Sequence, residues 1–304
     1  MTRQQAGPVP RFPECREISI SDKERFDAVF TQRPPELSAY TFTNIFAWRK
    51  AYDWRVSELD GSLIVHSQGT QGISCLEPIG ADDPVGAMLE VARLAQSRTT
   101  FKRVQSKWAE AAREIASVNV ADDRDNSDYL YLSSDLIDLP GRKFDAKRNF
   151  INRFKQTYSY EYLQITPENA MECHEFAEQW CEERDCESDE GLNHEICAVY
   201  QMLSHFGDLG MSGGAIKVNG AVVAFALGEP MNPDTLVVHV EKGDSSYAGI
   251  YQMINNEFAA HGALGYKYVN REQDLGIPGL RKAKRSYHPE RMVESYWVTI
   301  DPTG

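Results

Sequence analysis

Hydrophobic positions along the chain change period several times, and the changes mark out its elements. Ser21-Asp22-Lys23-Glu24 reads as a helix start, with Ser21 as the cap and Glu24 at the capping-box position; Pro34-Pro35 ends that helix. Thr41 to Ala51 reads as a second, aromatic-rich helix carrying Phe42, Ile45, Phe46 and Trp48. The period then falls to two. Trp54 to Leu59, Asp60-Gly61 and Ser62 to Val65 predict a hairpin with a two-residue turn, and Ala215 to Val218, Asn219-Gly220 and Ala221 to Phe225 predict another.

The sequels to the two hairpins echo one another. After the first come Leu76-Glu77-Pro78, a helix from Pro84 to Ala95, a strand from Phe101 to Gln105 and a helix from Lys107 to Ile115. After the second come Gly228-Glu229-Pro230, a helix from Tyr247 to Ala260, a strand from Tyr266 to Asn270 and a helix from Pro278 to Ser286. The pattern predicts an internal duplication. We therefore expect a loose leader over 1–16, a first unit over 17–135 and a second over 136–304. Between the hairpins, Tyr129 to Leu132 reads as a strand, and Met171 to Cys181 as a helix burying Cys173, Phe176, Ala177, Trp180 and Cys181 on one stripe. Arg142 to Lys155 holds six basic residues against one acidic, with Phe144, Phe150, Ile151 and Phe154 at roughly helical spacing.

Composition narrows the function classes. The chain has 304 residues, 42% apolar, with 14 Tyr, 13 Phe and 5 Trp, so it folds rather than remaining disordered. A net charge of −13 argues against a general nucleic-acid coat, although a local basic patch is compatible with it. The longest apolar run, Ala221 to Leu227, falls far short of the roughly 20 residues of a membrane span. Residues 1–5 lack the apolar core of a signal peptide, and the expectation is a soluble cytoplasmic protein. Cys15, Cys75, Cys173, Cys181, Cys186 and Cys197 show no tight Cys-x2-4-Cys pair, so they read as reduced thiols without metal. No Gly-x-Ser-x-Gly elbow, Walker loop or His-Glu-x-x-His occurs, and none of the seven histidines falls in a recognisable dyad.

Two constellations carry chemistry. The cations of Arg142 to Lys155 either flank a packed helix or meet a polyanion such as a tRNA acceptor end, a CoA pyrophosphate or a lipid head group. Asn270-Arg271-Glu272-Gln273-Asp274 ends a strand, and Gly276 to Gly279 then opens a short cationic helix. Ligands in α/β sheets sit at the carboxyl ends of strands, and a helix start offers N–H groups to an anion.

Glu77-Pro78-Ile79-Gly80, Arg142-Lys143 with Lys147-Arg148-Asn149 and Asn152-x-Phe154, and Arg271-Glu272-Gln273-Asp274 through Pro289 together resemble the bacterial family of the phosphatidylglycerol lysyltransferase C-terminal domain. The resemblance runs from about Phe26 to Tyr296 and is nearest to a stand-alone cytoplasmic branch. It implies an α+β fold of two tandem acetyltransferase-like (GNAT) units, each a mixed central sheet flanked by helices. It also implies transfer of an aminoacyl group from aminoacyl-tRNA to an amine or hydroxyl acceptor. The multi-span membrane half of the lipid-modifying relatives is absent from this chain.

Lys284-x-x-Tyr287-x-Pro289 is similar to the C-terminal Lys-x-x-aromatic-x-Pro pattern of the lysyltransferases, which makes Lys284 the leading candidate for contact with the acyl donor. Asn270, Glu272 and Asp274 are expected to orient the acceptor or the donor's ammonium. Arg148, Lys282 and Lys284 are expected to hold anionic groups, with Asn149, Asn152 and Tyr287 completing the binding set. Glu229, Glu241 and Asp274 are the acid/base candidates. Glu241 to Gly249 agrees only loosely with the acetyl-CoA loop of simple acetyltransferases. No bound cofactor is expected, and aminoacyl-tRNA or acyl-CoA remains as co-substrate. A non-catalytic binding module on the same fold is the further alternative.

Overall fold

The computed structural model describes residues 7–70 and 72–302. In chain order its elements are β1 (Arg16–Glu17), α1 (Lys23–Gln32), α2 (Phe42–Trp48), β2 (Arg55–Leu59), β3 (Ser62–Gly69), β4 (Gly72–Leu76), α3 (Pro84–Ala95), β5 (Thr99–Gln105), α4 (Ser106–Arg113) and β6 (Val118–Asp122). There follow β7 (Asp128–Leu132), α5 (Ser133–Asp138), α6 (Asp145–Thr157), β8 (Tyr160–Gln164), α7 (Ala170–Glu182), α8 (Glu190–Ser204), α9 (Phe206–Leu209), β9 (Ser212–Val218) and β10 (Ala221–Asn232). The chain ends with β11 (Thr235–Gly243), α10 (Ile250–Gly262), β12 (Tyr268–Asn270), α11 (Pro278–Arg285), β13 (Arg291–Val293) and β14 (Ser295–Ile300).

These elements form two mixed sheets flanked by helices, and the strand order repeats. The first sheet runs β1-β2-β3-β4-β5-β14-β6, and the second, read from its other edge, runs β8-β9-β10-β11-β12-β7-β13. In each, antiparallel strands lead to one parallel pair (β4 with β5, β11 with β12) joined through a helix (α3, α10). Both predicted hairpins form. Asp60 and Gly61, and Asn219 and Gly220, all sit at positive φ, as the twist-matched two-residue turn requires.

The chain divides into one unit of residues 1–128, 273–276 and 293–304, and a second of residues 129–272 and 277–292. The boundary thus precedes the expected residue 135. The last strand, expected in the second unit, instead completes the first sheet by pairing antiparallel with β5 and β6. Conversely β7 pairs with β12 in the second sheet. Apolar alternation cannot report such an exchange, because Tyr129–Leu132 and Ser295–Ile300 fit the same kind of slot. Of the expected leader, residues 1–6 lie outside the described residues. Residues 10–12 are strapped to β2: Phe12 N donates to the Glu58 carbonyl (2.9 Å), Glu58 N to the Pro10 carbonyl (2.8 Å), and the Phe12 ring is buried.

Other expectations shift locally. The first helix is capped by Asp22 rather than Ser21: a 3-10 turn over Ile20–Asp22, itself capped by Ser19, leads into α1, and Asp22, paired with Arg16, takes the Ser19 N–H at 2.8 Å. The Glu-Pro echo is not an equivalence: Glu77 follows β4, whereas Glu229-Pro230 lies inside β10. In the basic segment Phe144, Ile151 and Phe154 are buried in the second unit's core, but Phe150 is 47% exposed. The α7 stripe forms, with Cys173, Phe176, Ala177 and Trp180 buried and Cys181 half-buried.

Gly249 seats α6 against the start of α10. It caps α10 at φ +93°, and a Cβ there would stand 2.7 Å from the Phe150 carbonyl oxygen. Gly249→Ala should therefore lower stability by about 1–3 kcal/mol in denaturant unfolding. An unchanged midpoint would mean that α6 does not pack there.

Candidate functional site

The second unit's site grows from the point where its parallel pair opens. β11 and β12 pair through Thr235↔Tyr268, Leu236↔Val269 and Val237↔Asn270. Beyond that, β11 continues to Gly243 while β12 ends. A bulge sits just past the last pair: Leu227 of β10 faces Val240 and Gly228 faces Val238, leaving His239 as the extra residue. Glu272, two residues past the end of β12, adopts φ +56°. Its N–H donates to Asn270 Oδ1 (2.8 Å) and its carbonyl accepts the Tyr129 N–H (3.1 Å), which fix this unfavourable backbone.

Side-chain charge bridges the gap that the backbones leave. His239 is fully enclosed, with Nδ1 2.8 Å from Glu272 Oε1 and Nε2 3.0 Å from Glu229 Oε1. Both ring nitrogens face carboxylates, so both donate and the ring is an imidazolium. Burial alone lowers the pKa of this ring, but its hydrogen bonds to Glu229 and Glu272, with their charges, outweigh burial and raise it to about 9. Neither carboxylate is therefore available as an unencumbered base.

A second bridge lies alongside. Glu241 of β11 pairs with Arg271, just past β12, and accepts a 2.7 Å hydrogen bond from Asn255 Nδ2 of α10. Burial lowers the Arg271 pKa and the Glu241 charge raises it, and the net direction is upward. The guanidinium carbon stands 4.7 Å from the Tyr287 ring centre and 5.6 Å from that of Tyr131. Lys147 of α6 places Nζ 4.0 Å from the Tyr287 ring centre and donates to Ser286 Oγ at 2.6 Å. Burial, then the Arg271 charge, bring its pKa down to about 8. Lys284 of α11 donates from Nζ to the Arg271 carbonyl, and its own carbonyl accepts the Tyr131 hydroxyl at 2.8 Å. Lys147 and Arg271 thus meet at the Tyr287 ring beside the paired Glu241, and the Lys284 ammonium joins them through the Arg271 carbonyl. Among the described residues, Arg271 Nε and Nη1 are buried without a hydrogen-bond acceptor.

The structure brings together Glu229, Glu241, Asn270, Glu272, Lys284 and Tyr287 of the expected set. The others lie elsewhere. Arg148 is engaged with Asp145 and with the Leu139 and Gly141 carbonyls. Asn149, Asn152 and Lys282 are exposed. Asp274 belongs to the first unit, where it pairs with Arg124 at 3.2 Å and accepts the Gly276 N–H at 3.0 Å. Sequence reasoning passed over His239 and Asn255, and it gave Lys147 and Arg271, although both stand in the quoted motifs, no individual role. The available signal was Val238-His239-Val240-Glu241-Lys242: titratable residues interrupting an otherwise apolar strand, which are buried at a cost unless paired.

The loop before α10 is closed on itself. Ser246 N donates to Asp244 Oδ1 (2.8 Å), Tyr247 N to the Asp244 carbonyl (3.1 Å) and Ile250 N to the Tyr247 carbonyl (3.1 Å). Among the described residues no helix is long and apolar enough to cross a membrane.

Comparison with known proteins agrees with this architecture. The chain is similar to a conserved protein of unknown function from Bacteroides thetaiotaomicron, at 37% identity and a TM-score of 0.87, covering 94% of this chain and 99% of that one. The L-PGS structure from Bacillus licheniformis shares the fold at 15% identity and a TM-score of 0.65, covering 98% and 95%. An uncharacterized protein of Mycoplasmoides gallisepticum is 20% identical over 200 residues, 65% of this chain; the match spans 62% of that relative's length. The family model described as phosphatidylglycerol lysyltransferase, C-terminal, matches residues 30–299, and the chain, with its two mixed sheets, belongs to that family.

Proposed function

We propose that the chain transfers an aminoacyl group from aminoacyl-tRNA to an amine or hydroxyl acceptor, with the donor's terminal phosphates held at the Lys147–Arg271–Lys284 cluster. The observation that carries this reading is the pair of unsatisfied buried N–H groups on Arg271, set among a surplus of positive charge. An oxyanion supplies the acceptors and the charge that the site lacks. Membership of the family supports the donor class.

The aminoacyl ester is already activated, so holding acceptor and ester together supplies much of the rate. In this reading His239, held as a buried cation between Glu229 and Glu272, ties β10, β11 and the residues past β12 together at the strand opening and so positions the site without touching the ester. Asn270 sets the backbone of Glu272, and Glu241 orients Arg271. Asp274 is given no step in this reading, since its carboxylate is taken by Arg124 and the Gly276 N–H within the first unit.

The test is a thermal-shift and binding comparison using a non-hydrolysable aminoacyl-tRNA analogue and acetyl-CoA. The analogue should bind and stabilise, and acetyl-CoA should not compete with it. Stabilisation by acetyl-CoA alone would overturn the donor assignment.

A further inference from the structure

The other face of the second sheet holds an independent cluster. Successive strand residues point to opposite faces, so Lys242 leaves β11 away from the Glu241–Arg271 bridge. It is 4% exposed, with Nζ 2.7 Å from Glu195 Oε1 of α8 and 3.8 Å from the ring centre of Trp180 of α7. Arg184, two residues past α7, stands 4.1 Å from the same ring centre. Trp180 is 7% exposed, and its Nε1 is buried without an acceptor. The cluster therefore offers an ammonium, a guanidinium and an unused indole N–H, against one carboxylate whose side chain is 41% exposed. A buried donor left unmade is unfavourable, and here the missing partner is an acceptor carrying negative charge.

We propose that Trp180, Arg184 and Lys242 form a subsite for the oxyanion of a small molecule, a carboxylate or a phosphate, and that Glu195 occupies Lys242 until the ligand displaces it. The half-exposed Glu195 is the mobile member, because its departure exposes Lys242 without opening the core. This subsite lies on the opposite sheet face from the donor cluster and does not depend on the donor assignment.

The experiment labels the tryptophan indoles with 15N and titrates sodium phosphate or sodium acetate into the full chain at constant ionic strength, with chloride as the control. One indole resonance, absent in Trp180→Phe, should shift saturably with phosphate, acetate or both. Phosphate alone identifies a phosphoryl ligand, and acetate alone a carboxylate. Glu195→Gln removes the competing charge and should tighten binding about tenfold, equivalent to about 1.4 kcal/mol. Lys242→Met should abolish the shift; if that variant does not fold, Arg184→Ala should weaken it. A Trp180 resonance that responds to neither anion, or unchanged affinity in Glu195→Gln, would overturn the proposal.

Discussion

Replacing His239 with alanine is expected to cost roughly 3–5 kcal/mol of stability, the range for removing one partner from a buried charge network. The variant leaves Glu229 and Glu272 without the imidazolium that each contacts within 3.0 Å. The loss depends on pH in a determined direction. The His239 pKa in the folded protein is about 9, above the ordinary histidine value of 6.5. Its stabilising contribution is therefore complete below about pH 6.5 and disappears as pH rises through 9, a swing of about 3 kcal/mol. Urea unfolding of wild type and His239→Ala across pH 6 to 10 should give curves that converge at high pH. Groups that titrate in both proteins, Lys147 included, cancel in the difference. Parallel curves would mean that the ring is not charged in the folded state.

The second large effect concerns the donor. Each charge-assisted contact contributes about 1.5–3 kcal/mol, so Lys147→Ala should weaken binding of an aminoacyl-tRNA analogue by roughly 10- to 100-fold. Arg148→Ala, only one position away, should change it less than about twofold, since that guanidinium is committed to Asp145 and two carbonyls. Because the Lys147 ammonium loses its proton near pH 8, affinity should also fall as pH rises past that value. Equal losses in the two variants would assign binding to the general charge of α6 rather than to the site.

Much of this was legible in the sequence, and the reasons are specific. Asp60-Gly61 and Asn219-Gly220 announced their hairpins because few residues other than Gly, Asn and Asp tolerate two successive positive φ angles. Asn270 to Asp274 announced a strand end because five polar side chains in a row cannot all be buried in a sheet. What was not legible depended on partners distant in the chain. The choice between Lys147 and Arg148 as the inward cation is a helix phase of one residue, decided by Phe144, Ile151 and Phe154 packing while Phe150 stays outside. His239 carried no motif, because its carboxylates lie 10 residues before and 33 after it, and a bulge in β11 turns it toward both. Asp274 shared a polar run with Glu272, yet the chain passes between units within that run.

The most direct test of the account is the salt dependence of donor binding. Affinity of the aminoacyl-tRNA analogue, measured for wild type and Lys147→Ala across increasing monovalent salt, gives a log–log slope proportional to the number of phosphates neutralised. The account predicts that the variant's slope is shallower by about 0.7–0.9, the value of one lost phosphate contact. Parallel slopes, with Lys147→Ala binding as tightly as wild type, would contradict the placement of the donor's phosphates at the Lys147–Arg271–Lys284 cluster.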